Sequence, residues 1–411
     1  MSVPRVAFFT DCFHEVNGVA LTSRQLHAFA ERRGHPFFSL HIGSQRRVWT
    51  AGSVTTVEID RSRFSLALDA DMFFDFAFLR HLRFVRQELE AFRPDVIHIT
   101  GPGDCGILGL ILARQLGVPL VASWHTDLHK YAGRRLVRML PFLPASIQAK
   151  LDQSTERGAL AATLRFYREA AVTLAPNPDL TQMLEQDSRR PCVLMRRGID
   201  TELFRPSRRD RQDATLVLGY VGRLSPEKGI RLLAPIENAL RKAGIVDYKF
   251  LVVGQGSERE FLSDNLSRVE FTGVLKGEAL ARAYANMDLF LFPSRTDTFG
   301  NVIQEALASG TPALVFAEGG PKFLVEDGVT GQRANSDADF VAAALSLVQN
   351  REQLARMAQG LRAQTLDRSW DSVFEEVWRA YRLATGAAGS GRGIRWPNLQ
   401  ASSPSQPNQT A

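Results

Sequence analysis

The chain has 411 residues, of which 45% are hydrophobic and 23% are charged; this balance is typical of globular proteins, and the length predicts two or three domains of about 150 residues each. Its formal net charge of +6 is too small to predict nucleic-acid binding, although it suits an anionic membrane surface or anionic substrates. The three cysteines are isolated, which argues against a disulfide framework or structural zinc and suits a cytoplasmic protein. The sequence shows no signal-peptide pattern and no apolar run near the roughly 20 residues that span a bilayer. We therefore expect neither a leader nor a membrane span.

Short apolar runs alternate with longer amphipathic stretches along the first half of the chain. The runs that predict strands are Val6–Phe9, Val96–Ile99, Leu120–Ser123 and Val172–Leu174. Helical stretches lie between them: one ends at Arg33 before Gly34, and Leu108–Leu116 ends before Gly117, because glycine commonly terminates a helix. This alternation predicts parallel βα units.

The same pattern restarts after the polar stretch Arg205–Asp213. The predicted strands are Leu216–Val221, Phe250–Val253, Leu289–Phe292 and Ala313–Phe316, and the predicted helices are Lys228–Arg241, Val302–Ala308 and, as one or two helices, Ala338–Gln364. We therefore predict an α/β protein with two doubly wound parallel-sheet domains, residues 1–205 and 206–365. From 386 to 411 the sequence is rich in Gly, Ser, Pro, Gln and Asn, which predicts a disordered tail.

Ligands bind beyond the carboxyl ends of the strands in open parallel sheets, so the loops there are the candidates for function. Gly18 ends the loop after the first strand, where a glycine lets the backbone approach a phosphate or a sugar beside a positive helix terminus; an ordinary βα turn is the alternative. Arg223 and Lys228 lie in GRLSPEKG, after the first strand of the second half. Two cations at this spacing can clamp a diphosphate, with Lys228 at the start of a helix, and solvated surface cations are the alternative.

The segment FPSRTDTFGNVIQEALASGTP carries two carboxylates at a predicted strand end. Asp297 lies in the loop after the strand, and Glu305 lies within the helix that begins near Gly300. A diphosphate at that helix N-terminus would be held by backbone N–H groups, and the carboxylates can accept hydrogen bonds from sugar or ribose hydroxyls. The alternative is that Asp297 caps the helix and Glu305 is a buried, paired carboxylate.

His125 in SWHTDLHKY follows a predicted strand of the first domain. A lone histidine is often structural, but this position at the carboxyl end of a strand makes His125 a candidate for the cleft. The sequence contains no GxSxG, GxxxxGK[ST] or HExxH motif, and no GxGxxG follows the first strand. Serine hydrolases, P-loop NTPases, zincins and the usual dinucleotide dehydrogenases therefore lose support.

Taken together, the chain resembles the retaining, GT-B-fold glycosyltransferases of group 1, family 4. The resemblance covers about residues 3–385 and rests on segments that occur in the family's order: the VNG loop, PDVIHI, SWHTDL, RGIDTELFRP, GYVGRLSPEKG, LVVGQGSERE, the stretch from FTGVLKG to ASGTP, and the GGP turn at Gly319–Pro321. It implies two Rossmann-like domains that face each other across a cleft. It also implies that a last helix, residues 366–385, crosses back to the first domain.

The resemblance also implies a role for each matching residue. Arg223 and Lys228 would bind the donor's diphosphate and, with His125 and Asp297, form the catalytic set. Asp297 would contact hydroxyls of the transferred sugar, beside which His125 would lie. The further donor-binding residues implied are Gly18 at the phosphates, Val274 and Leu275 at the base, Phe299, Gly300 and Asn301 through their backbone amides, and Glu305 at the ribose.

One residue departs from the family pattern, because many members have Glu where this chain has Asp297, and the shorter side chain can shift the contact with the sugar hydroxyl. The TDTFGN and RGID segments are closer to the branch that contains lipid-directed mannosyltransferases and sulfolipid synthases, which favours GDP-mannose as the donor and a UDP-sugar second. The implied reaction is a retaining transfer in which Arg223, Lys228 and a helix N-terminus stabilise the departing diphosphate. No metal and no other cofactor is expected. Front-side attack by the acceptor hydroxyl is the default, and a covalent step stays open.

The acceptor is indicated by a basic segment in the first domain. Lys130, Arg134, Arg135 and Arg138 are interleaved with apolar residues, as in amphipathic elements that bind anionic lipid. Residues 1–205 hold 26 Lys/Arg and 21 Asp/Glu, so five of the six excess positive charges lie there. We therefore expect a lipid or lipid-linked acceptor at the cytoplasmic membrane face. The alternatives are a solvated helix face, a soluble sugar or small-molecule acceptor, and a catalytically silent nucleotide-sugar-binding protein.

Overall fold

The computed structural model describes residues 3–15, 17–69, 72–125, 145–365 and 368–389. Two separate parallel sheets organise them, one of eight strands and one of six. The first sheet is built from residues before 195 and the second from residues after 215. A small two-stranded sheet accompanies the first of them.

The first sheet has the strand order β10-β9-β8-β7-β1-β2-β4-β3, in which only the edge strand β3 is antiparallel to its neighbour. Its strands, with the hairpin β5–β6, are β1 (Val6–Thr10), β2 (Phe37–Gly43), β3 (Arg47–Ala51), β4 (Val54–Asp60), β5 (Ser65–Asp69), β6 (Met72–Asp75), β7 (Val96–Ile99), β8 (Leu120–Ser123), β9 (Val172–Ala175) and β10 (Cys192–Leu194). The helices around it are α1 (Gly18–Arg32), α2 (Leu82–Phe92), α3 (Asp104–Leu116), α4 (Ala145–Tyr167) and α5 (Pro178–Ser188).

The second sheet has the order β13-β12-β11-β14-β15-β16 and is parallel throughout. Its strands are β11 (Leu216–Val221), β12 (Tyr248–Val253), β13 (Val269–Gly273), β14 (Leu289–Phe292), β15 (Ala313–Phe316) and β16 (Gly331–Ala334). The helices of this part are α6 (Leu233–Lys242), α7 (Arg259–Asn265), α8 (Gly277–Ala285), α9 (Asn301–Ala308), α10 (Asp337–Gln349) and α11 (Arg351–Thr365). The central strands are buried on both faces, as covered parallel sheets require.

Each sheet reverses its winding direction beside its first strand. In the first domain β1 lies between β2 and β7, and in the second domain β11 lies between β12 and β14. Such switch points open a crevice at the carboxyl ends of the strands, because the following loops turn to opposite faces of the sheet. The loops after β1, β11 and β14 therefore lie where a ligand is expected.

The last helix, α12 (Trp370–Gly389), packs on the first domain although it follows the second in sequence. Phe374 contacts Phe29, with ring centroids 5.5 Å apart, and Trp378 stacks on Phe37 at 6.1 Å. Burying each such aromatic side chain stabilises the fold by about 1.5–3 kcal/mol. This helix therefore connects the end of the chain to the first sheet.

Three differences from the sequence predictions have physical causes. The helix predicted to start at Lys228 starts at Leu233, because Gly229 has a left-handed φ of 65° that separates two single 3₁₀ turns. Helix α12 extends to Gly389, so the predicted tail from 386 begins too early; residues 390–411 lie outside the described residues. Strands β2 to β6 had no counterpart in the prediction.

Among the described residues, no helix combines the length and the apolar character that crossing a bilayer requires.

Candidate functional site

The carboxyl ends of the two sheets meet through direct hydrogen bonds. The Thr298 hydroxyl, in the loop after β14, donates to the backbone oxygen of His125, just beyond β8 (2.8 Å). The Asn177 amide, at the start of α5, donates to the Thr298 backbone oxygen (2.7 Å). The loops after β14 and β8 and the start of α5 thus form one continuous surface between the domains.

Two helix N-termini approach each other at this surface. Helix α1 begins at Gly18, and a Cβ atom added to Gly18 would lie 3.1 Å from Nδ2 of Asn301, the first residue of α9. The α9 N-cap is Gly300, with φ of 100° and no side-chain cap, a backbone conformation that favours glycine. The first N–H groups of a helix lack intrahelical acceptors, so two facing termini create a positive region suited to a diphosphate.

Lys228 and Asp297 form an ion pair beside these termini. Lys228 Nζ lies 2.8 Å from Asp297 Oδ1 and 3.0 Å from Oδ2. The two side chains are 21% and 22% exposed, so solvent reaches both. Asp297 therefore does not cap α9, and the structure couples two residues for which the sequence suggested separate roles.

Glycines hold the loops that carry this pair. A Cβ atom on Gly229 would lie 2.2 Å from the Pro293 carbonyl oxygen, and one on Gly320 would lie 1.9 Å from that of Thr298. The Gly320 N–H also donates to the Asp297 carbonyl (2.9 Å). Any larger residue would push these loops apart, so the glycines fix how closely Lys228 and Asp297 approach.

Glu305 lies one turn further along α9. Its Oε2 accepts a hydrogen bond from the Tyr284 hydroxyl (2.8 Å). Burial raises the pKa of Glu305 to about 7, because a desolvated carboxyl is harder to ionise. Its described partner is thus a phenol and not a cation, so the carboxyl keeps acceptor capacity for a further hydroxyl donor.

The remaining predicted donor-binding residues lie on the second domain or at its edge. Arg223 is half-buried in the loop after β11, and its carbonyl accepts from the Tyr220 hydroxyl (2.9 Å). Val274 and Leu275 lie between β13 and α8, with Val274 45% exposed and Leu275 half-buried. Phe299 is buried just before the α9 N-cap.

The predicted membrane residues Lys130, Arg134, Arg135 and Arg138 lie outside the described residues.

His125 differs from its expected orientation toward the cleft. The residue is 9% exposed, its Nε2 is 2.7 Å from the Ser123 hydroxyl, and its Nδ1 is 2.7 Å from Nη2 of Arg197. Burial, followed by the nearby Arg197 and His98, holds the pKa of His125 well below its ordinary value. The ring is therefore occupied within the protein, and the part of His125 that meets the donor loop is its backbone carbonyl.

The sequence interpretation missed Arg197, Ser123 and Thr298 as members of this site. Ser123 and His125 are two residues apart at a strand end, so the period of two places them on one face; that signal was available. The Arg197–His125 contact joins residues 72 positions apart. The sequence around either residue does not predict such a contact.

One group among the described residues has metal-ligand types: His14, His41 and Glu58, whose ligand atoms lie within 4.8 Å of one another. Glu58 Oε1 is 3.2 Å from Nε2 of both histidines, and its Oε2 accepts from Arg47 Nε (2.6 Å). Arg47 already neutralises the carboxylate. The cluster holds the loop after β1 against β2 and β4, and we assign it no metal.

Comparison with known proteins agrees with this arrangement. The family described as "Glycosyltransferase Family 4" matches residues 16–203, and "Glycosyl transferases group 1" matches residues 215–350. A GDP-mannose-dependent alpha-mannosyltransferase of Mycolicibacterium smegmatis is 33% identical over 305 residues, covering 72% of this chain and 76% of that protein. The sulfoquinovosyl transferase of Arabidopsis thaliana is 30% identical over 311 residues, covering 71% and 57%.

The fold has a solved counterpart as well. Sucrose-phosphate synthase from Thermosynechococcus elongatus superposes with a TM-score of 0.71 over 93% of this chain and 99% of that one, at 20% identity. The chain belongs to the group 1, family 4 glycosyltransferases, and its two Rossmann-like domains have the GT-B fold. It is a glycosyltransferase acting on nucleotide sugars. The predicted family, fold class and enzyme class are confirmed, and the silent binding protein loses its support.

Proposed function

We propose that this glycosyltransferase transfers mannose from GDP-mannose, with retention of the anomeric configuration, to a lipid or lipid-linked acceptor at the cytoplasmic membrane face. The observation that carries the donor assignment is the meeting of two helix N-termini, at Gly18 and Asn301, beside the Lys228–Asp297 pair. The similarity to the mycobacterial mannosyltransferase favours GDP-mannose. A UDP-sugar is the second candidate donor.

The diphosphate enters a site whose cation is already bound to a carboxylate. Lys228 contacts Asp297, and a diphosphate carries more negative charge than one aspartate. On donor binding Lys228 exchanges Asp297 for phosphate oxygens, with Arg223 as the second cation. The released Asp297 then accepts hydrogen bonds from the hydroxyls of the sugar.

The nucleoside binds on the second domain. Glu305 accepts the ribose hydroxyls, and Val274 and Leu275 contact the base. The support for the first role is a carboxyl on α9 whose described bond is to Tyr284 alone. The half-exposed Val274 supports the second, since a base needs an accessible apolar surface.

Transfer proceeds as the glycosidic bond to the diphosphate breaks and negative charge develops on the departing oxygen. Arg223, Lys228 and the α9 N-terminus stabilise that charge electrostatically, in a geometry set before the reaction. The acceptor hydroxyl attacks from the same face of the sugar. Because both ring nitrogens of His125 are engaged within the protein, the hydroxyl proton passes to the departing phosphate oxygen.

The membrane part of the proposal draws on exposed apolar residues of the first domain. Phe64, Leu66, Phe76 and Leu79 are 60%, 53%, 67% and 49% exposed, and they flank or belong to the hairpin β5–β6 that follows β4. The guanidinium of Arg63 lies 5.2 Å from the Phe64 ring centroid. Exposed apolar side chains of this size beside cations suit an anionic lipid surface.

A two-stage experiment tests the donor and then the acceptor. The first stage compares the thermal stability of the protein with GDP, UDP and ADP; at ligand concentrations about 100-fold above Kd the expected stabilisation is about 2.7 kcal/mol. The second stage follows radiolabelled mannose from GDP-mannose into lipid extract or aqueous product, with Lys228→Ala as a control of reduced activity. Stabilisation by UDP alone would overturn the GDP assignment, and label found only in aqueous products would favour the soluble acceptor.

A further inference from the structure

A continuous series of hydrogen bonds connects Arg197 to the last helix. Arg197 Nη2 is 2.7 Å from His125 Nδ1, and His125 Nε2 is 2.7 Å from the Ser123 hydroxyl. That hydroxyl is 3.0 Å from His98 Nε2, and His98 Nδ1 is 2.7 Å from the Tyr381 hydroxyl. His98, Ser123 and Tyr381 are each at most 1% exposed. We call this series the Arg197 relay.

The chemistry of arginine fixes the direction of the bonds in the relay as far as Ser123. A guanidinium only donates, so His125 Nδ1 must be an unprotonated acceptor. The neutral His125 ring then carries its proton on Nε2 and donates it to Ser123. The single Ser123 proton can go to His98 Nε2 or to the Ile99 carbonyl (3.5 Å). Arg197 thus sets the tautomer of His125.

Arg197 also contacts the helix at which the donor is proposed to bind. Its backbone carbonyl accepts from Nε2 of Gln304 on α9 (2.9 Å), and its guanidinium lies 6.0 Å from the ring centroid of Phe299. The Thr298 hydroxyl meets the backbone carbonyl of His125. The relay therefore joins α9, the end of β8 and α12.

The burial of Arg197 indicates a function that the fold alone does not explain. The residue is 4% exposed, and no described carboxylate lies within ion-pair distance of it. Its described side-chain partners are the Met195 carbonyl at 3.3 Å and His125. A buried cation without a counterion is costly, and burial lowers the pKa of Arg197 to about 10, so it stays charged at neutral pH.

We propose that Arg197 is a positioning residue for the transfer reaction: it locks His125 as a neutral imidazole protonated on Nε2 and so holds the His125 carbonyl against the donor loop. The proposal rests on the proposed function, because the donor loop is defined by it. Arg197 acts through His125 and does not itself need to touch the donor. The His125 ring then takes no part in proton transfer.

The groups that face the His125 ring determine what pH can change. Arg197 comes from the segment after β10, and His98 comes from β7 through Ser123. Tyr167 of α4 donates to the Ser123 carbonyl (3.0 Å), and Tyr381 of α12 ends the relay. With Arg197 in place, His125 stays neutral through the physiological range. Without it, burial still keeps the ring neutral, but no donor at Nδ1 holds the ring proton on Nε2, so the two neutral tautomers can interchange.

The test compares Arg197→Met with Arg197→Lys and with Arg196→Met, a matched control at the adjacent exposed arginine. With ¹⁵N-histidine labelling, and His125→Gln to assign the signal, we expect wild-type His125 to show the neutral Nε2–H tautomer from about pH 5.5 to 8.5. Arg197→Met should lose this signature, so that both neutral tautomers of His125 appear, and should lower kcat by about 10- to 100-fold. Its GDP affinity should stay within about twofold, Arg197→Lys should recover much of kcat, and Arg196→Met should behave as wild type.

The tautomer measurement needs neither donor nor acceptor, so it separates this proposal from the proposed function. If GDP-mannose is not the donor but His125 keeps the Nε2–H form, only the donor assignment fails. If wild-type His125 is protonated or carries its proton on Nδ1, the relay is wrong. Unchanged kcat in folded Arg197→Met would overturn the proposal that Arg197 is a positioning residue. Should Arg197→Met fail to fold, the wild-type tautomer still decides: the neutral Nε2–H form of His125 supports the relay, and either other form overturns it.

Discussion

The two sides of the interdomain surface handle charge in opposite ways. On the second domain, Lys228 and Asp297 form an ion pair that is about one-fifth exposed, and Glu305 has a pKa of about 7. On the first domain, His125 and His98 are buried and neutral, and the cation beside His125, Arg197, is itself only 4% exposed. The donor side can exchange its charged partners when a charged ligand arrives. The first-domain side around His125 is a fixed surface, because its cation is buried and hydrogen-bonded within the protein.

This contrast suits the two substrates of a glycosyltransferase. A nucleotide diphosphate brings its own charge, so a site of exchangeable ion pairs compensates it at little cost. A hydroxyl acceptor brings none, and a rigid neutral surface orients it without having to reorganise. We therefore expect the second domain to bind the charged donor and the first domain to position the acceptor.

The largest expected effect comes from removing the exchangeable cation. Lys228→Ala should weaken GDP binding and slow transfer by about 10- to 150-fold, because a charge-assisted contact contributes roughly 1.5–3 kcal/mol. Calorimetric titration with GDP measures the first effect and product formation the second. Lys249→Ala is the matched control, since Lys249 of β12 forms a surface ion pair with Glu270 in the same domain. Normal GDP affinity in Lys228→Ala would show that Lys228 does not bind the diphosphate, and the proposed difference between the two domains would lose its main support.

The next effect concerns the proton on Glu305. Ribose hydroxyls donate to the carboxylate form, so binding lowers the pKa of Glu305 from about 7. The affinity for GDP should therefore rise up to about tenfold between pH 6 and pH 8 and level off above, with protons released on binding near pH 7. Calorimetry in buffers of different ionisation enthalpy counts those protons. Glu305→Gln should bind GDP more weakly and keep only the pH dependence that GDP's own phosphate causes; an unchanged slope would contradict the ribose role.

Much of this fold follows from the sequence because the central strands are continuous apolar runs between helix ends and prolines. β7, β8, β11, β14 and β15 have the predicted bounds. The strands between Phe37 and Asp75 do not show that signal: β2 is interrupted by Ser39 and His41, both buried, and β3 is an edge strand whose five residues are all exposed. Whether these segments form strands depends on the neighbouring strands with which they pair, and the local sequence pattern does not show those neighbours.

The site was predictable in its parts but not in its pairings. Asp297 and Lys228 lie in segments that follow parallel strands, and Glu305 lies in the helix after one of them, as the sequence indicates. The Lys228–Asp297 contact spans 69 positions, and the engagement of His125 by Arg197 depends on how the end of β8 meets the segment after β10. Tertiary packing alone determines these contacts, so the sequence identified His125 but not the state of its ring.

A smaller effect concerns the apolar surface of the first domain. Phe64→Ser combined with Phe76→Ser should lower binding to anionic vesicles by about five- to tenfold, because two exposed rings lose their contact with lipid. Donor hydrolysis should be unchanged, since both residues lie outside the donor site. Val246→Ser, at a residue of the second domain that is 66% exposed, should leave vesicle binding unchanged. Sedimentation of the double variant at the wild-type level would remove this surface from the membrane proposal.

The smallest expected effect tests whether Lys228 leaves Asp297 when the diphosphate binds or contacts both at once. In Asp297→Asn, Lys228 no longer has a carboxylate to leave, so bare GDP should bind about two- to fivefold more tightly than to the wild type. The sugar hydroxyls lose their charged acceptor at the same time, so transfer from GDP-mannose should fall although the nucleotide binds better. If Lys228 and Asp297 acted independently, GDP affinity would stay at the wild-type value. Calorimetry with GDP, run beside transfer rates for both proteins, distinguishes the two cases. Added salt sharpens the comparison, because screening weakens the exposed ion pair of the wild type and should narrow the difference in GDP affinity between the two proteins.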